Sequence, residues 1–276
     1  MPSWPFSPHT AFSDNTVPKV TSTHINDWES VQNALFWGVY LSRPQCRVYC
    51  TDSATISGSV SPMLIRDLAT SKYVYVAAPS FSLGPADLET PAMSWPSSSW
   101  LYLYAKCSGG VIVWEISTTA PTVTTPDGSS ATASCLFKNG DDSRRYVASA
   151  YSDGSSLIQR FQRIDNETTL IDEAQCVPAS AGITTWQTPS LATYVPPHAQ
   201  EVTLSAQLEN YSAGARALYV THDGDAPASP RGVYTSAGSY NGEMVSVYLA
   251  SQAFRWKTDS NALDHTVRVS VRKWRD

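Results

Sequence analysis

The strand pattern of the chain is clearest in SWLYLYAKCSGGVIVWEISTTAP (residues 99–121) and DDSRRYVASAYSDGSSLIQRFQRID (residues 141–165). Within residues 101–106, small or aliphatic side chains alternate with tyrosine and lysine, which is the two-residue period of a β-strand. Ser108-Gly109-Gly110 then offers residues that tolerate positive φ, and residues 111–116 alternate again. The first stretch therefore predicts a β-hairpin.

The second stretch has the same character. Residues 145–150 and 157–164 are β-rich runs, and they flank Ser152-Asp153-Gly154, which reads as an Asp-Gly turn. We therefore predict that these two runs form a second hairpin.

Further strands are predicted along most of the chain after Pro44. They occupy residues 48–56, 64–68, 72–78, 202–208, 245–249 and 267–271. The fold class expected is mainly β, with an antiparallel β domain over residues 46–197 and a C-terminal β-sandwich or jelly-roll domain over residues 198–276. Prolines make residues 79–99 a surface loop or a packed irregular segment, and they mark residues 176–200 as a connector.

The N-terminal residues 1–45 differ from the rest. Residues 1–20 are rich in Pro, Ser and Thr and predict an extended arm that becomes ordered on a neighbouring protein. Residues 21–41 show apolar side chains at three- or four-residue steps, which predicts a helix. The stripe expected to lie in a subunit interface consists of Ile25, Trp28, Val31 and Leu35. The alternative is a helix that docks on its own domain.

Several phrases resemble virion appendage proteins of tailed bacteriophages, a group that includes tail fibres, head fibres and receptor-binding proteins. They are the aromatic strand Trp100–Ala105, the ISTTAP phrase Ile116–Pro121, the strand and turn Arg144–Gly154, the segment Val20–Trp28 and the basic ending Lys273–Asp276. None of these phrases is a catalytic signature.

The resemblance implies a structural virion protein, made in the host cytoplasm, that forms a homotrimeric tail or baseplate fibre for host attachment. Its partners would be other virion proteins and a host surface glycan. Residues 1–45 would attach to the particle and residues 198–276 would face outward. The alternatives are a head fibre or capsid decoration protein, and a carbohydrate-binding module or depolymerase that acts on host glycan.

Composition excludes some classes of function. Charged residues make up 16% of the chain, below the roughly 25% of an average soluble protein, and the formal net charge is −5. A nucleic-acid-binding protein would need clustered cations, so we predict no nucleic-acid partner. No apolar run approaches the roughly 20 residues of a membrane span, and the N-terminus lacks the pattern of a signal peptide.

No catalytic or metal-binding signature is present in the sequence. The five cysteines contain no CxxC pair, and we predict free, largely buried thiols, although Cys46 and Cys50 could meet locally. The turns 222–225 and 139–142 hold the best carboxylate clusters for a cation, but Asp-Gly and Asn-Gly turns explain both without one. We therefore predict no enzyme activity, cofactor or metal.

Two classes of side chain could still act on a glycan: carboxylates could cleave it, and aromatic rings could bind it. A glycosidase would need two carboxylates across a cleft, for which nothing selects among Glu89, Glu115, Asp165, Glu167 and Asp172. Aromatic rings stack on sugars, and the chain contains nine Trp and fourteen Tyr. The candidate glycan contacts, chosen because they lie in or beside predicted loops, are Trp95, Trp186 and Tyr194. The alternative is that most aromatic residues fill cores and subunit contacts.

Overall fold

The computed structural model describes residues 45–71, 73–124, 135–224 and 230–276, which form eighteen β-strands and one short 3-10 helix. The strands are β1 Cys46–Cys50, β2 Ile56–Val60, β3 Met63–Arg66, β4 Tyr73–Val76, β5 Phe81–Leu83, β6 Ser99–Ser108, β7 Val111–Ser117, β8 Pro121–Thr124, β9 Cys135–Lys138, β10 Asp141–Ser152, β11 Phe161–Ile164, β12 Glu167–Ser180, β13 Glu201–Asn210, β14 Arg216–His222, β15 Arg231–Thr235, β16 Tyr240–Tyr248, β17 Phe254–Thr258 and β18 His265–Arg275. The 3-10 helix is Pro85–Asp87. The predicted arm and helix, with Ile25, Trp28, Val31 and Leu35, lie outside the described residues.

The mainly β fold class is confirmed, and the named strands pair antiparallel. They form an eight-stranded sheet in the order β16-β13-β18-β12-β11-β1-β2-β5, a five-stranded sheet in the order β7-β6-β10-β9-β8, a three-stranded sheet in the order β15-β14-β17 and the pair β3-β4. Buried apolar side chains from the three larger sheets belong to one core cluster, as Val202, Leu103 and Val220 show. The arrangement is sandwich-like, because sheets bury their apolar faces against one another.

The predicted boundary between residues 46–197 and 198–276 does not separate two independent sheets. Strand β12, from the first predicted domain, pairs with β18 from the second over most of its length, including Ala174 opposite Val271. The eight-stranded sheet therefore runs continuously across the boundary. The proline-rich connector joins β12 to β13, and both of these strands belong to the eight-stranded sheet. The connector therefore does not mark a boundary between two sheets.

The hairpin predicted from residues 99–117 is confirmed. Strands β6 and β7 pair from Tyr102 opposite Ser117 to Ser108 opposite Val111, and the loop is Gly109-Gly110. Both glycines have positive φ, 62° and 78°, which is the backbone that a two-residue hairpin turn of this hand requires.

The second predicted hairpin is wrong. Strand β10 pairs with β6 and β9, whereas β11 pairs with β1 and β12 in the other large sheet. Only an isolated bridge joins Ser152 to Ile158. The Asp153 carboxylate accepts hydrogen bonds from the backbone N–H groups of Ser155 and Leu157, at 2.8 and 3.0 Å, and this turn carries the chain from one sheet to the other.

Other strand boundaries also need correction. The strand predicted over residues 48–56 is two strands, because Asp52 Oδ1 accepts the N–H groups of Ala54 and Thr55 and turns the chain between β1 and β2. Residues 79–99 are a packed irregular segment that includes β5 and the 3-10 helix. The described part of the chain contains no α-helix.

Four of the cysteines, Cys46, Cys50, Cys107 and Cys176, are free thiols, as predicted. Cys46, Cys50 and Cys107 are buried and Cys176 is partly buried. Burial raises the pKa of Cys50 to about 11 and that of Cys176 to about 12, so both remain protonated near neutral pH. Protonated thiols are poor nucleophiles, which agrees with a packing role.

Replacing Gly182 with alanine is expected to lower the free energy of unfolding by about 1–3 kcal/mol, since overpacking forces the surroundings to shift. A Cβ atom at this position would lie 1.9 Å from Nε2 of the buried His265 and 2.4 Å from the backbone oxygen of Ser260. Gly84→Ala is the matched control, because nothing lies within 4 Å of its added Cβ. Urea denaturation measures both variants, and equal midpoints would contradict the expectation.

Candidate functional site

The candidate site is a cleft of about 420 Å³ at the place where β10, β11 and β12 meet the connector before β13. We call it the cleft. Its lining comprises Ser53, Tyr151, Asp153, Gly154, Leu157, Ile158, Gln159, Arg160, Asp172, Thr193 and Tyr194. Two aromatic rings, an ion pair and several neutral polar groups therefore converge on one concave surface, which is the usual composition of a small-ligand site.

The ion pair in the cleft joins Arg160 and Asp172. Arg160 Nε donates to Asp172 Oδ2 at 2.8 Å, and Arg160 Nη2 donates to the second carboxylate oxygen. These hydrogen bonds hold the pKa of Asp172 below its usual range. Both side chains are partly exposed, at 42% and 46%, so they can also exchange hydrogen bonds with the hydroxyl groups of a ligand.

The two aromatic side chains of the cleft, Tyr151 and Tyr194, are held in place by contacts with residues outside its lining. The Tyr194 hydroxyl donates to the backbone oxygen of Gln175 at 3.0 Å, and the Tyr151 ring lies 5.2 Å from the ring of Trp100. Trp100 in turn donates its Nε1–H to the backbone oxygen of Ala192 at 2.7 Å. The rings are therefore oriented before any ligand arrives, which reduces the entropy lost on binding.

The two carboxylates of the cleft, those of Asp153 and Asp172, are both engaged as hydrogen-bond acceptors. A glycosidase needs a carboxylic acid with a raised pKa to protonate the leaving group. Asp172 has a lowered pKa, and Asp153 uses its carboxylate to accept hydrogen bonds from the turn that follows it. In this arrangement both carboxylates accept hydrogen bonds from groups of the protein itself.

The other glycosidase candidates are engaged elsewhere. Glu89 lies 2.5 Å from Lys138 and accepts a hydrogen bond from Ser117, and Lys138 lowers the pKa of this carboxyl. Glu167 pairs with Lys273 at 3.0 Å, which lowers its pKa as well. Asp165 and Glu115 are likewise held in hydrogen bonds or ion pairs within the protein.

The three predicted glycan contacts are in three different environments. Tyr194 lines the cleft. Trp186 lies beside Lys257 on another surface, with the Lys257 Nζ atom 4.8 Å from its ring centroid. The prediction for Trp95 is corrected, because its side chain is 3% exposed and its Nε1–H donates to the backbone oxygen of Ala54. Trp95 is a core residue and has no free ring face.

Sequence reasoning missed Tyr151 and Arg160. The available signal was the register of the β11–β12 hairpin, in which Phe161 pairs with Leu170 and places Arg160 near Asp172. Tyr151 lies near the end of β10, just before the turn at Asp153 that leads to the other large sheet. No local pattern in the sequence indicated that the chain changes sheets at this turn.

A second polar cluster is buried between the sheets. Asp276 contacts Arg163 at 2.6 Å, the Tyr146 hydroxyl at 2.9 Å and His198 Nε2 at 3.4 Å. Burial opposes ionisation of Asp276, but the Arg163 charge and the His198 hydrogen bond outweigh it and hold the pKa of this carboxyl well below its usual range. We call Arg163, Asp276, Tyr146 and His198 the buried charge cluster.

The buried charge cluster is not a nucleophilic triad. Ser149 lies 3.5 Å from His198, but the same imidazole nitrogen, Nε2, faces both Ser149 and Asp276. A triad requires the base to contact the serine through one ring nitrogen and the orienting carboxylate through the other. Ser149 is also 1% exposed, so a substrate has no access to it.

The predicted turn clusters are engaged in local contacts. His222 Nδ1 accepts the N–H of Gly224 at 3.0 Å, and Asp223 accepts hydrogen bonds from Ala250 and Ser251. Asp225 lies outside the described residues. In the other turn, Asp141 pairs with Arg144 and Asp142 with Arg66. Over the ranges given above, no group of three or more His, Cys, Asp or Glu side chains could hold a metal ion.

No helix in the described part of the chain has the length and hydrophobicity to span a membrane. Comparison of the chain with protein-family models finds no match, and comparison with curated proteins finds none either.

Proposed function

We propose that this protein is a structural component of a tailed-phage particle that contributes to host attachment by binding a host surface glycan in the cleft. The cleft itself is the observation that supports this proposal. Tyr151 and Tyr194 offer ring faces for stacking, and Arg160 and Asp172 offer paired donors and acceptors for hydroxyl groups.

The virion role rests on the resemblance of residues 99–165 to phage appendage proteins and on the composition of the chain. A low content of charged residues and an antiparallel β architecture agree with a particle component. The proposal retains a homotrimeric tail or baseplate fibre, with residues 1–45 as the particle attachment and Ile25, Trp28, Val31 and Leu35 in the subunit contact. Residues 198–276 then face outward, and the cleft, which is lined by residues within the range 53–194 of the same sheets, is open to the host as well.

The cleft prediction is tested by screening the full-length protein on a glycan array and measuring the strongest ligand by calorimetry. Asp172→Asn is expected to weaken binding about tenfold, because a hydrogen bond to a charged group contributes about 1.5–3 kcal/mol. Tyr194→Ala should weaken binding to a similar extent, whereas Tyr194→Phe keeps the ring and should retain most of the affinity.

Tyr248→Ala is the matched control, because this tyrosine is 76% exposed and lies on β16 away from the cleft residues. Equal affinities for Tyr194→Ala and Tyr248→Ala would contradict the cleft assignment. Release of reducing ends from host polysaccharide would instead identify a depolymerase.

The virion role has its own test. Antibodies against residues 198–276 should label intact particles of the encoding phage in electron micrographs, and trypsin-digested purified particles should yield peptides of this chain. Purified particles that lack the chain would contradict the structural role, and labelling only after disruption would reverse the proposed orientation.

A further inference from the structure

A second surface with binding chemistry lies on the outer face of the three-stranded sheet. It comprises Trp186, Tyr219, Tyr234 and Lys257, and we call it the aromatic platform. The Tyr219 and Tyr234 rings meet edge to face with centroids 6.2 Å apart. Lys257 Nζ lies 4.8 Å from the Trp186 centroid and 5.9 Å from that of Tyr219. The aromatic platform shares no residue with the cleft.

Strand register places these side chains together. Tyr219 on the central strand β14 is opposite Gly232 on β15 and Lys257 on β17. Its neighbours Leu218 and Val220 are fully buried, so Tyr219 points to the opposite face. The two tyrosine rings and the ammonium group are therefore held on the outer face by a regular three-stranded ladder, and the bridge between Gln187 and Trp256 brings Trp186 beside them.

Gly232 makes room for the ring of Tyr234. A Cβ atom at Gly232 would lie 2.6 Å from Cε2, Cζ and the hydroxyl oxygen of Tyr234, so the ring lies over the glycine backbone beside Tyr219. Tyr234 remains 61% exposed in this position. A ring that lies over a glycine and stays largely exposed leaves aromatic surface open to solvent, on which a planar or saccharide ring can stack.

The platform also carries two positive charges, those of Lys257 and Arg255. Lys257 and Arg255 are two residues apart on β17 and share the outer face of the strand. Within the described ranges, neither side chain forms an ion pair. Burial raises the pKa of Tyr219, and the nearby Asp259 carboxylate adds a smaller contribution in the same direction.

We propose that the aromatic platform binds a carboxylate-bearing sugar unit of an acidic polysaccharide. The acidic sugar unit stacks on Trp186 and its carboxylate pairs with Lys257 and Arg255, whereas Tyr234, on the opposite edge strand of the sheet, stacks on another unit of the same polysaccharide. Two cations suit one carboxylate, whereas a nucleic acid needs a track of cations along its phosphates, and the chain has a net charge of −5. This inference does not depend on ligand binding in the cleft.

Binding is measured by calorimetry with trimers of galacturonate, glucuronate and α2,8-linked sialic acid, and with the methyl esters of the same trimers. At least one acidic trimer is expected to bind about tenfold more tightly than its neutral ester, the change that one charge-assisted contact supplies. Lys257→Gln should reduce this preference, and Lys257→Gln combined with Arg255→Gln should abolish it. Trp186→Ala should weaken binding of both forms, because it removes a stacking surface.

Arg268→Gln is the charge-matched control, since it removes an exposed cation from β18, outside the platform. It should bind as the unaltered protein does. Asp172→Asn, which alters the cleft, should leave acidic-trimer binding unchanged, so that failure of one site is distinguishable from failure of the other. Urea denaturation verifies that each variant is folded.

Three results would overturn the inference. They are the absence of acid preference for all three trimers, an equal loss of binding in Arg268→Gln and Lys257→Gln, and tighter binding of single-stranded DNA than of any acidic trimer. The last result would identify the platform as a base-stacking surface for nucleic acid.

Discussion

Replacing Arg163 with methionine is expected to lower the free energy of unfolding by about 3–5 kcal/mol, because it leaves a buried carboxylate without its cation. Arg163 and Asp276 are each 3% exposed, and Arg163 Nη1 donates to Asp276 Oδ2 at 2.6 Å. Tyr146 and His198 also contact Asp276 and remain in the variant, but neither carries the permanent charge that Arg163 supplies. Urea denaturation of the purified protein at neutral pH measures the loss.

Arg160→Met is the matched control for this prediction. Arg160 also pairs with an aspartate, Asp172, but both side chains are more than 40% exposed, and an exposed pair contributes about 0–1 kcal/mol. The two variants therefore remove the same type of contact from opposite environments. Equal losses of stability would show that burial of the Arg163 pair is not what makes it important.

The pH dependence of the Arg163→Met effect follows from Asp276. Its folded pKa is depressed, so its contribution to stability is present above the unfolded pKa of about 3.9 and is lost as the pH falls through the folded pKa. The stability difference between the unaltered protein and the variant should therefore be largest above about pH 4 and should shrink in more acidic buffer.

Trp274→Ala should also lower the free energy of unfolding by about 3–5 kcal/mol, because it leaves a large cavity in the core. Trp274 is 2% exposed, and its ring meets that of Trp100 edge to face with centroids 5.9 Å apart. Trp274→Phe should cost less, since it keeps a ring and removes an indole N–H that has no hydrogen-bond partner in the described part of the chain.

Tyr248→Ala is the exposed counterpart, and a surface substitution of this kind is expected to change stability by less than about 0.5 kcal/mol. Thermal or urea denaturation ranks the three variants. A loss for Trp274→Ala no larger than that for Tyr248→Ala would contradict the assignment of Trp274 to the core.

The sequence by itself determined the features that depend on neighbouring residues. Alternation in residues 101–106 and the pair Gly109-Gly110 predicted the β6–β7 hairpin, because side-chain period and turn conformation are local properties. The same reasoning predicted the mainly β class and the antiparallel strands over residues 202–208, 245–249 and 267–271. Tyr194 was predicted as a glycan contact from its position beside a predicted loop; it lines the cleft, and its contact with a glycan stays a prediction.

Local patterns failed where a distant strand decided the outcome. The runs around Asp153 resemble a hairpin, yet β10 and β11 join different sheets, because each finds a better partner elsewhere along the chain. Trp95 was predicted as a binding residue because it lies among prolines, yet the segment folds inward and buries it. The separation of β10 from β11 and the burial of Trp95 both depend on contacts between residues far apart in sequence.

Only the tertiary structure shows that the residues of the buried charge cluster, and those of the aromatic platform, lie close together. Near the end of β18 an extra residue, Arg272, shifts the register against β13, so Trp274 and Asp276 turn inward where unbroken alternation would turn them outward. Asp276 thereby meets Arg163, 113 residues earlier. Tyr219, Tyr234 and Lys257 likewise converge only because three strands pair in one register, and the bridge between Gln187 and Trp256 brings Trp186 beside them. Pairing between distant strands is not encoded in any local period, and for that reason only the folded chain brings these groups together.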